Sequence, residues 1–285
     1  MLGSRKLSFL FIIFIFLITS SFGGTAVAGV EKQEAAADSG TSLERLEVDR
    51  EEVHRRFGTG EELKLRVTYM GLTAGYIDIT TEKGIFEERP VYRLKMEAET
   101  SGSVSWMYSV RDTLVSYMDV RGLFSWGYDY HKNHDGEEEL EEVRYHQDEG
   151  FVVRNGEKDG EIPLYTQDVV SAVYFLRTRD LNVGDEHSFP VHVGEDVYHL
   201  VLEVEELDTI ITNDGWEEAF KIVPRLEDEE REEELNEQLK DSSRGVRVWI
   251  SNDERRIPLQ IAIPAKFGSL YGYLSSYSPG EEIDL

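Results

Sequence analysis

The feature that most constrains this chain is a two-residue alternation of apolar and polar side chains. In the clearest run, Leu63, Leu65 and Val67 alternate with Lys64 and Arg66, so one face is apolar and the other polar. This period is typical of a half-buried β-strand, because successive side chains of a strand point to opposite faces of the sheet. Similar segments follow at 76–79, 92–98, 113–118, 123–130, 139–146, 150–154, 189–193, 198–204, 219–223, 246–250 and 259–263.

About twelve short strands of this kind predict a mainly β protein with antiparallel pairing. Turn sequences such as Asp135-Gly136 and Asn155-Gly156 separate them. A long antiparallel sheet must protect its edges, so we expect closure into a barrel or a curved β-clam. The interior of such a barrel is larger than the side chains of its strands can fill, so a helix, a ligand or both should occupy it.

One segment, 166–179, has helical spacing instead and is predicted to be a central helix covering the concave face. Thr166 is the predicted N-cap, Asp168 suits the first turn, and Arg177 suits the last turn. The apolar face of this helix comprises Val169, Val170, Val173, Tyr174 and Leu176.

Two related halves, 57–160 and 181–277, are predicted to flank this helix within a single β-rich domain, 57–279. The second half begins with Leu181-Asn-Val-Gly184-Asp185, which repeats the order of Phe57-Gly-Thr-Gly60-Glu61 at the start of the first. Each half then continues into alternating strands, which favours an internal duplication.

The N-terminal residues 1–28 are typical of a secretory signal peptide, with an apolar run followed by Ala26-Val27-Ala28 as a cleavage site. A retained N-terminal anchor is the alternative, but Thr19 interrupts the apolar run before it reaches the length of a spanning helix. We therefore expect export to the periplasm or cell envelope, with no stable transmembrane anchor after cleavage. Residues 29–56 are interpreted as a flexible, charged tether, and the acidic block 227–241 as a solvated insertion.

Composition narrows the classes of partner. The formal net charge is −27, which argues against nucleic acid because nucleic-acid binding requires a basic face. The chain has no cysteine, so it has no disulfide, no thiolate nucleophile and no cysteine zinc site. Given export, the many strands and one covering helix, the expected partners are a lipid or another hydrophobic small molecule, or a protein of the envelope.

Sequence motifs of catalysis and metal binding are missing. The chain has no P-loop, no G-x-S-x-G and no H-E-x-x-H. Its best group of metal-ligand types is Asp129, His131, His134 and Asp135, which straddles a strand end and a turn. Such ligands would need a rigid element to align them, so we predict neither a metal site nor a cofactor.

Aromatic residues give the strongest indication of binding. Phe124, Trp126, Tyr128 and Tyr130 follow at two-residue spacing, so a regular strand would place them on one face. Aromatic walls suit an apolar or glycan ligand. The predicted lining residues are Trp106, Tyr117, Phe124, Trp126, Tyr128, Val169, Val173, Tyr174 and Trp249.

Short motifs in a fixed order support a family resemblance. Residues of the motifs that we interpret as structural are Gly60, Glu61, Gly75, Asp112, Asp168, Ser171, Arg177, Asp253, Arg256 and Pro258. In their order and spacing, residues 57–277 resemble the DUF3108 family of bacterial envelope proteins. This resemblance implies an exported β-rich protein and supplies no reaction.

Our leading hypothesis is a non-enzymatic envelope protein that binds a hydrophobic ligand, a lipid or a partner on its concave face. One alternative is an enzyme acting on envelope glycan or lipid through Asp112, Asp168 and Asp253, which would require two of these carboxylates in one cleft. Another alternative is a structural component of an envelope complex, docked through the tether or the acidic block.

Overall fold

The protein folds as one antiparallel sheet of fourteen strands with a helix at its centre, as seen in a computed structural model that describes residues 53, 56–213, 215–226, 245–265 and 268–281. The strands are β1 (Glu62–Tyr69), β2 (Leu72–Phe86), β3 (Arg89–Thr100), β4 (Arg111–Asp119), β5 (Ser125–His134), β6 (Glu137–His146), β7 (Phe151–Arg154), β8 (Glu157–Glu161), β9 (Glu186–Val193), β10 (Asp196–Thr212), β11 (Gly215–Leu226), β12 (Arg247–Ser251), β13 (Pro258–Ala265) and β14 (Gly268–Ser278). The helix is α1 (Val169–Arg177).

The predicted fold class is confirmed, although fourteen strands replace the expected twelve or so. The strands β8 and β14 were not recognised in the sequence; in β8 all five residues are exposed and none forms an apolar face. The predicted signal peptide 1–28, most of the tether 29–56 and the acidic block 227–241 lie outside the described residues. No helix in the described part of the chain has the length and hydrophobicity needed to cross a bilayer.

The sheet is built from two meanders joined through the first and last strands. Its order is β8 to β1 followed by β14 to β9, with Leu63 of β1 opposite Tyr277 of β14. The two strands that flank α1 in the chain, β8 and β9, are therefore the two edges of the sheet. The predicted internal duplication stays a prediction.

The segment before α1 draws the sheet into a barrel-like curl. The backbone of Gln167 pairs in parallel with Val191 of the edge strand β9. One residue earlier, the carbonyl of Thr166 accepts a hydrogen bond from the amide of Ser125 at the start of β5. Edge strand β9 is thereby held against the middle of the first meander, and its backbone groups find partners instead of forming a free edge.

The helix α1 lies inside this curl and packs on two sides. Val170 and Tyr174 contact the main core, a cluster built mostly by β1–β7 and β12–β14. Ala172 and Leu176 contact the second core, a cluster built by β9–β12. The prediction of one apolar face is thus corrected: Val173 is only half-buried, because the helix is wedged between two walls rather than laid on one.

The start and end of the helix also differ from the prediction. The helix begins after Asp168, which is the N-cap, and its side chain accepts hydrogen bonds from the amides of Val170 and Ser171. Thr166, the expected N-cap, instead donates its hydroxyl to the carbonyl of Pro163. Its amide lies in the strand-like segment that closes the curl, so the helix cannot start there.

Antiparallel pairing gives the sheet two ends. We call the end where β1, β3 and β5 begin the helix end, because α1 spans it from the β4–β5 side to the β1–β14 side. We call the opposite end the far end. It carries the turn after Tyr69, the loop 101–110 and the turn at Asp135-Gly136.

Candidate functional site

The helix end is closed by a buried ion pair. Both guanidinium nitrogens of Arg177 donate to the two carboxylate oxygens of Glu61, each at 2.7 Å, and both side chains are 0% exposed. Arg177 also donates to the carbonyl oxygens of Arg56, at 2.6 Å, and Arg255, at 3.3 Å. A desolvated pair is stable only when its remaining hydrogen-bonding groups are satisfied in this way.

Two tyrosines complete the group around the Glu61 carboxylate. Tyr174 of α1 donates to it at 3.1 Å, and Tyr277 of β14 at 3.3 Å. Thr81 in turn donates to the Tyr174 hydroxyl at 3.0 Å. The pKa of Tyr174 is raised by burial and by the Glu61 charge, so its hydroxyl remains a proton donor. The predicted motif residues Glu61 and Arg177 therefore attach the end of the helix to β1, β2 and β14.

At the other end of α1, the carboxylate of Asp168 is satisfied by four donors. One oxygen accepts the amides of Val170 and Ser171 at 2.8 and 2.9 Å. The second oxygen accepts the hydroxyls of Ser116, at 2.5 Å, and Ser125, at 2.6 Å. The negative charge sits at the positive end of the helix dipole, and the two serines fix the helix to β4 and β5.

Opposite this sealed end, the inner wall of the first meander becomes polar. Leu114, Tyr130 and Glu141 lie side by side on β4, β5 and β6, and the first two belong to the main core, so Glu141 faces inward as well. Along β6, the inward positions change from buried Val143 through half-buried Glu141 to exposed positions nearer the far end.

Three inward-facing charged residues at this level remain partly accessible to water. Exposure of their side chains is 14% for Lys132, 15% for Glu141 and 16% for Arg154, against 0% for the Arg177–Glu61 pair. Solvent therefore reaches these inward-facing groups, whereas it does not reach the ion pair at the helix end. We call Lys132, Glu141 and Arg154 the inner charged triad.

The inner charged triad is held together by Glu141. Its carboxylate pairs with Arg154 at 2.9 Å and with Lys132 at 3.4 Å, and it accepts the hydroxyl of Tyr128 at 2.8 Å. Arg154 also contacts the carbonyl of Gly194 in the β9–β10 turn, so it links the first meander to the second across the curl. Each cation of the triad has a second carboxylate partner, Asp159 for Arg154 at 2.5 Å and Glu139 for Lys132 at 3.6 Å.

A tyrosine–histidine pair lies next to the triad and deeper inside. The Tyr145 hydroxyl and the Nδ1 atom of His192 are 3.1 Å apart, and the Nε2 atom of His192 is buried without a hydrogen-bond partner. Burial, followed by the positive charge of Arg154, lowers the pKa of His192 to about 4. The imidazole is therefore neutral at pH 7.

Asp112 anchors a second group near the far end. Its carboxylate accepts the Tyr130 hydroxyl at 2.8 Å and the Asn133 amide at 3.1 Å, and it lies 3.0 Å from Nε2 of His134. The ring of Tyr108 packs edge-on against His134, with the ring centroids 5.9 Å apart.

The residues with metal-ligand chemistry do not converge. Asp129 contacts Tyr117 and Arg144 on the outer face of β5, and His131 faces Glu138 there, whereas His134 turns inward to Asp112. Within the described ranges no group of three or more metal-ligand side chains comes together.

The three carboxylates of the enzyme hypothesis lie in three separate networks. Asp112 is at the far end, and Asp168 caps α1 at the helix end. Asp253 organises the turn between β12 and β13, where it accepts the Ser251 hydroxyl and the amides of Arg255 and Arg256. The remaining motif positions are also structural. Gly60 adopts a left-handed turn, Gly75 pairs within β2, and Pro258 begins β13.

The predicted lining residues are divided between the two faces of the sheet. Tyr128, Tyr174 and Trp249 belong to the main core, and Val169 packs at its border. Tyr117, Phe124 and Trp126 form an outer aromatic cluster with Val91. Trp106 is 78% exposed in the loop 101–110 and does not line the interior.

A β-bulge separates Trp126 from Tyr128. The pairing register of β4 with β5 shifts between Ser116 and Met118, and Gly127 has a positive φ of 133°. The extra residue reverses the alternation, so Trp126 faces out while Tyr128 faces in. Beside Trp126 lies an outer cleft of about 100 Å³, bounded by Arg89, Arg144 and Asp148, which is too small for a lipid chain.

Sequence reasoning missed the inner charged triad and the Tyr145–His192 pair. A signal for part of it was present, because Glu139 and Glu141 precede Val143 and Tyr145 at two-residue spacing. A strand whose inward positions change from acidic to apolar runs from a solvent-accessible region into a buried core.

Comparisons with known proteins give one family match and a likeness of fold. The family model of DUF3108, described as proteins of unknown function, matches residues 64–275. Among solved structures, a β-barrel-like protein of domain of unknown function DUF1849 from Brucella abortus matches with a TM-score of 0.53 and 9% identity, covering 79% of this chain and 100% of that one. At such low identity the likeness concerns the fold alone. No curated protein matches the chain.

Proposed function

This chain belongs to the DUF3108 family, and from that premise we propose that it is an exported envelope protein that binds a lipid or another amphipathic molecule inside its curled sheet. Export rests on the predicted signal peptide 1–28, and the absence of cysteine suits a protein that folds without disulfides.

The observation that carries the proposal is the difference between the two ends of the curl. Arg177 and Glu61 close the helix end at 0% exposure, whereas inward-facing Lys132, Glu141 and Arg154 are partly exposed to water. We infer a site that is closed at the helix end, since small-molecule sites are usually concave.

The chemistry of the wall supports an amphipathic ligand. The inner charged triad offers both signs of charge to a polar head group. Leu114 of β4 and the rings of Tyr128 and Tyr130, all buried in the main core, form an apolar wall directly beside it. A ligand with one polar and one apolar part would contact both surfaces at once.

A bulky residue placed on the inner wall tests this proposal. Ala98 of β3 packs at the border of the main core, opposite Asp112, so Ala98→Trp should fill the space beneath the far end. The neighbouring Glu99 faces outward and is exposed, which makes Glu99→Trp the matched control.

The measurement is native mass spectrometry of the protein purified from envelope extracts, before and after delipidation and reloading with extracted lipids. We expect a bound molecule in the unchanged chain and in Glu99→Trp, and its loss in Ala98→Trp. Two results would overturn the proposal. One is that the unchanged chain carries and reloads nothing. The other is that Ala98→Trp, folded by circular dichroism, still binds as the control does.

A further inference from the structure

Four large apolar side chains project into water at the far end. Exposure is 73% for Met70 and 71% for Leu72, which flank the β1–β2 turn, and 78% for Trp106 and 53% for Met107 in the loop 101–110. We call these four residues the apolar tip. Single exposed apolar residues are ordinary, but a group of this size on one tip is typical of an interaction surface.

Hydrogen bonds hold the two parts of the tip together. The hydroxyl of Ser101 donates to the carbonyl of Thr73 at 2.7 Å, and its amide donates to the carbonyl of Ala74 at 2.8 Å. The indole of Trp106 donates to the carbonyl of Ser103 at 2.9 Å, and the Ser103 hydroxyl lies 3.4 Å from the Thr73 carbonyl. Trp106 is thereby fixed beside the residue that follows Leu72.

The chain segments that carry the tip contain no charged residue. Charged residues make up 31% of the chain, yet residues 67–76 and 100–110 contain none, and neither does β14, which runs beside β1. Asp135 borders the loop 101–110, where its carboxylate accepts the amide of Ser109 at 2.7 Å. In a protein with a net charge of −27, the tip itself thus offers a partner apolar side chains, with a carboxylate at its border.

Tyrosines form a band just behind the tip. Tyr271 and Tyr273 of β14 stack with ring centroids 5.8 Å apart, on the outer face beside β1. Tyr76 lies on the other side of β1, opposite Arg66, and is exposed. Aromatic rings with a polar edge favour the boundary between hydrocarbon and lipid head groups, so an apolar tip with tyrosines behind it fits a bilayer surface.

We propose that the apolar tip docks on the interface of an uncharged, zwitterionic lipid bilayer. Met70, Leu72, Trp106 and Met107 enter the head-group boundary, and the tyrosine band lies at the level of the head groups. Anionic lipid disfavours docking, because the protein carries a large negative charge. The proposal does not depend on a ligand inside the curl, since the tip lies on the outside of the far end.

Quenching by brominated lipid tests it on the full chain. Vesicles of phosphatidylcholine are compared with vesicles of its dibrominated form, which quenches only tryptophan that enters the bilayer. The four tryptophans include two exposed ones, Trp106 and Trp216, and two buried ones, Trp126 and Trp249. The predicted leader contains no tryptophan, so it adds nothing to the signal.

We expect strong quenching of the unchanged chain, most of it lost in Trp106→Phe and retained in Trp216→Phe. The double variant Met70→Ser with Leu72→Ser should raise the lipid concentration needed for half-maximal quenching by about tenfold or more. The reason is that it removes two apolar side chains that would be buried in the bilayer. The matched control is Ile211→Ser, an exposed apolar position on the β10–β11 hairpin, which should change nothing.

Phosphatidylglycerol should weaken the interaction at low salt, and added salt should restore it. No quenching of Trp106, or equal effects of the tip and control variants, would overturn the proposal. So would a tip-dependent dimer in sedimentation experiments without lipid, because the tip would then be an interface between two copies of the chain. A chain that docks but carries no ligand would refute only the proposed interior site.

Discussion

Arg177 of α1 and Glu61 before β1, separated by 116 positions in sequence, form two parallel hydrogen bonds of 2.7 Å with no exposure to solvent. The pair attaches the helix to the junction of the two meanders, where β1 meets β14. A cation and an anion at this depth stabilise the fold only together, because either one alone would be a buried, unpaired charge.

Arg177→Met should therefore lower the free energy of unfolding by about 3–5 kcal/mol, the range for breaking a buried ion pair. Urea denaturation followed by circular dichroism measures the change. The matched control is Lys95→Met on β3, whose ion pair with Glu97 is solvent-exposed and should contribute less than about 1 kcal/mol. Equal losses in the two variants would mean that Arg177 is not desolvated as described.

The N-cap of α1 gives a second test. Asp168→Ala removes the acceptor of two helix amides and of the hydroxyls of Ser116 and Ser125, so we expect a loss of about 3 kcal/mol or more. Thr166→Ala removes only a hydroxyl donated to Pro163 and should cost about 1 kcal/mol. A larger loss at Thr166 than at Asp168 would restore the N-cap assignment made from sequence.

Thr166 and Asp168 show how much of the helix could be predicted from the sequence. Helical spacing located α1 because Val170, Tyr174 and Leu176 do pack inside. It could not give the start of the helix, because Thr166 and Asp168 are both good N-caps and the choice depends on a contact with Ser125, 43 positions before Asp168. Likewise, alternation predicts strands but not how far the sheet curls, which depends on the bridge between Gln167 and Val191.

The prediction that Phe124, Trp126, Tyr128 and Tyr130 share one face was wrong for a local reason that the sequence hardly reveals. Regular pleating would put Trp126 and Tyr128 on one face, and the bulge at Gly127 separates them. A glycine inside an otherwise β-rich run was the only available hint. The inner charged triad was missed because Lys132 and Arg154 come together through pairing of three strands.

Gly127→Ala should be strongly destabilising. A Cβ atom there would lie 2.1 Å from the carbonyl oxygen of Val143, and the φ of 133° is unfavourable for any side chain. The control is Gly136→Ala, with a φ of 85° and no atom within 4 Å of the new Cβ, which should cost about 1 kcal/mol from backbone strain alone. Thermal denaturation of both variants separates the clash from the strain. Similar melting temperatures would argue against the close approach of β5 and β6 at Gly127.

The final prediction concerns pH and His192. Burial lowers its pKa to about 4 in the folded protein, below the ordinary value of about 6.5 expected in the unfolded chain. Between these two values the unfolded state binds one more proton, so the free energy of unfolding decreases as pH falls. The stabilisation is fully present above pH 6.5 and is lost progressively down to about pH 4, by up to about 3 kcal/mol.

His192→Asn removes the imidazole that takes up this proton. The free energy of unfolding of the variant should therefore fall less steeply between pH 6.5 and 4 than that of the unchanged chain. The charged groups that act on the imidazole remain in both proteins; they are Arg154, Glu141, Asp159 and Asp196. The difference between the two urea-denaturation series therefore isolates His192. If His192→Asn and the unchanged chain lose stability in parallel, the imidazole is not held neutral by burial, and water must then reach the Tyr145–His192 pair as it reaches the inner charged triad.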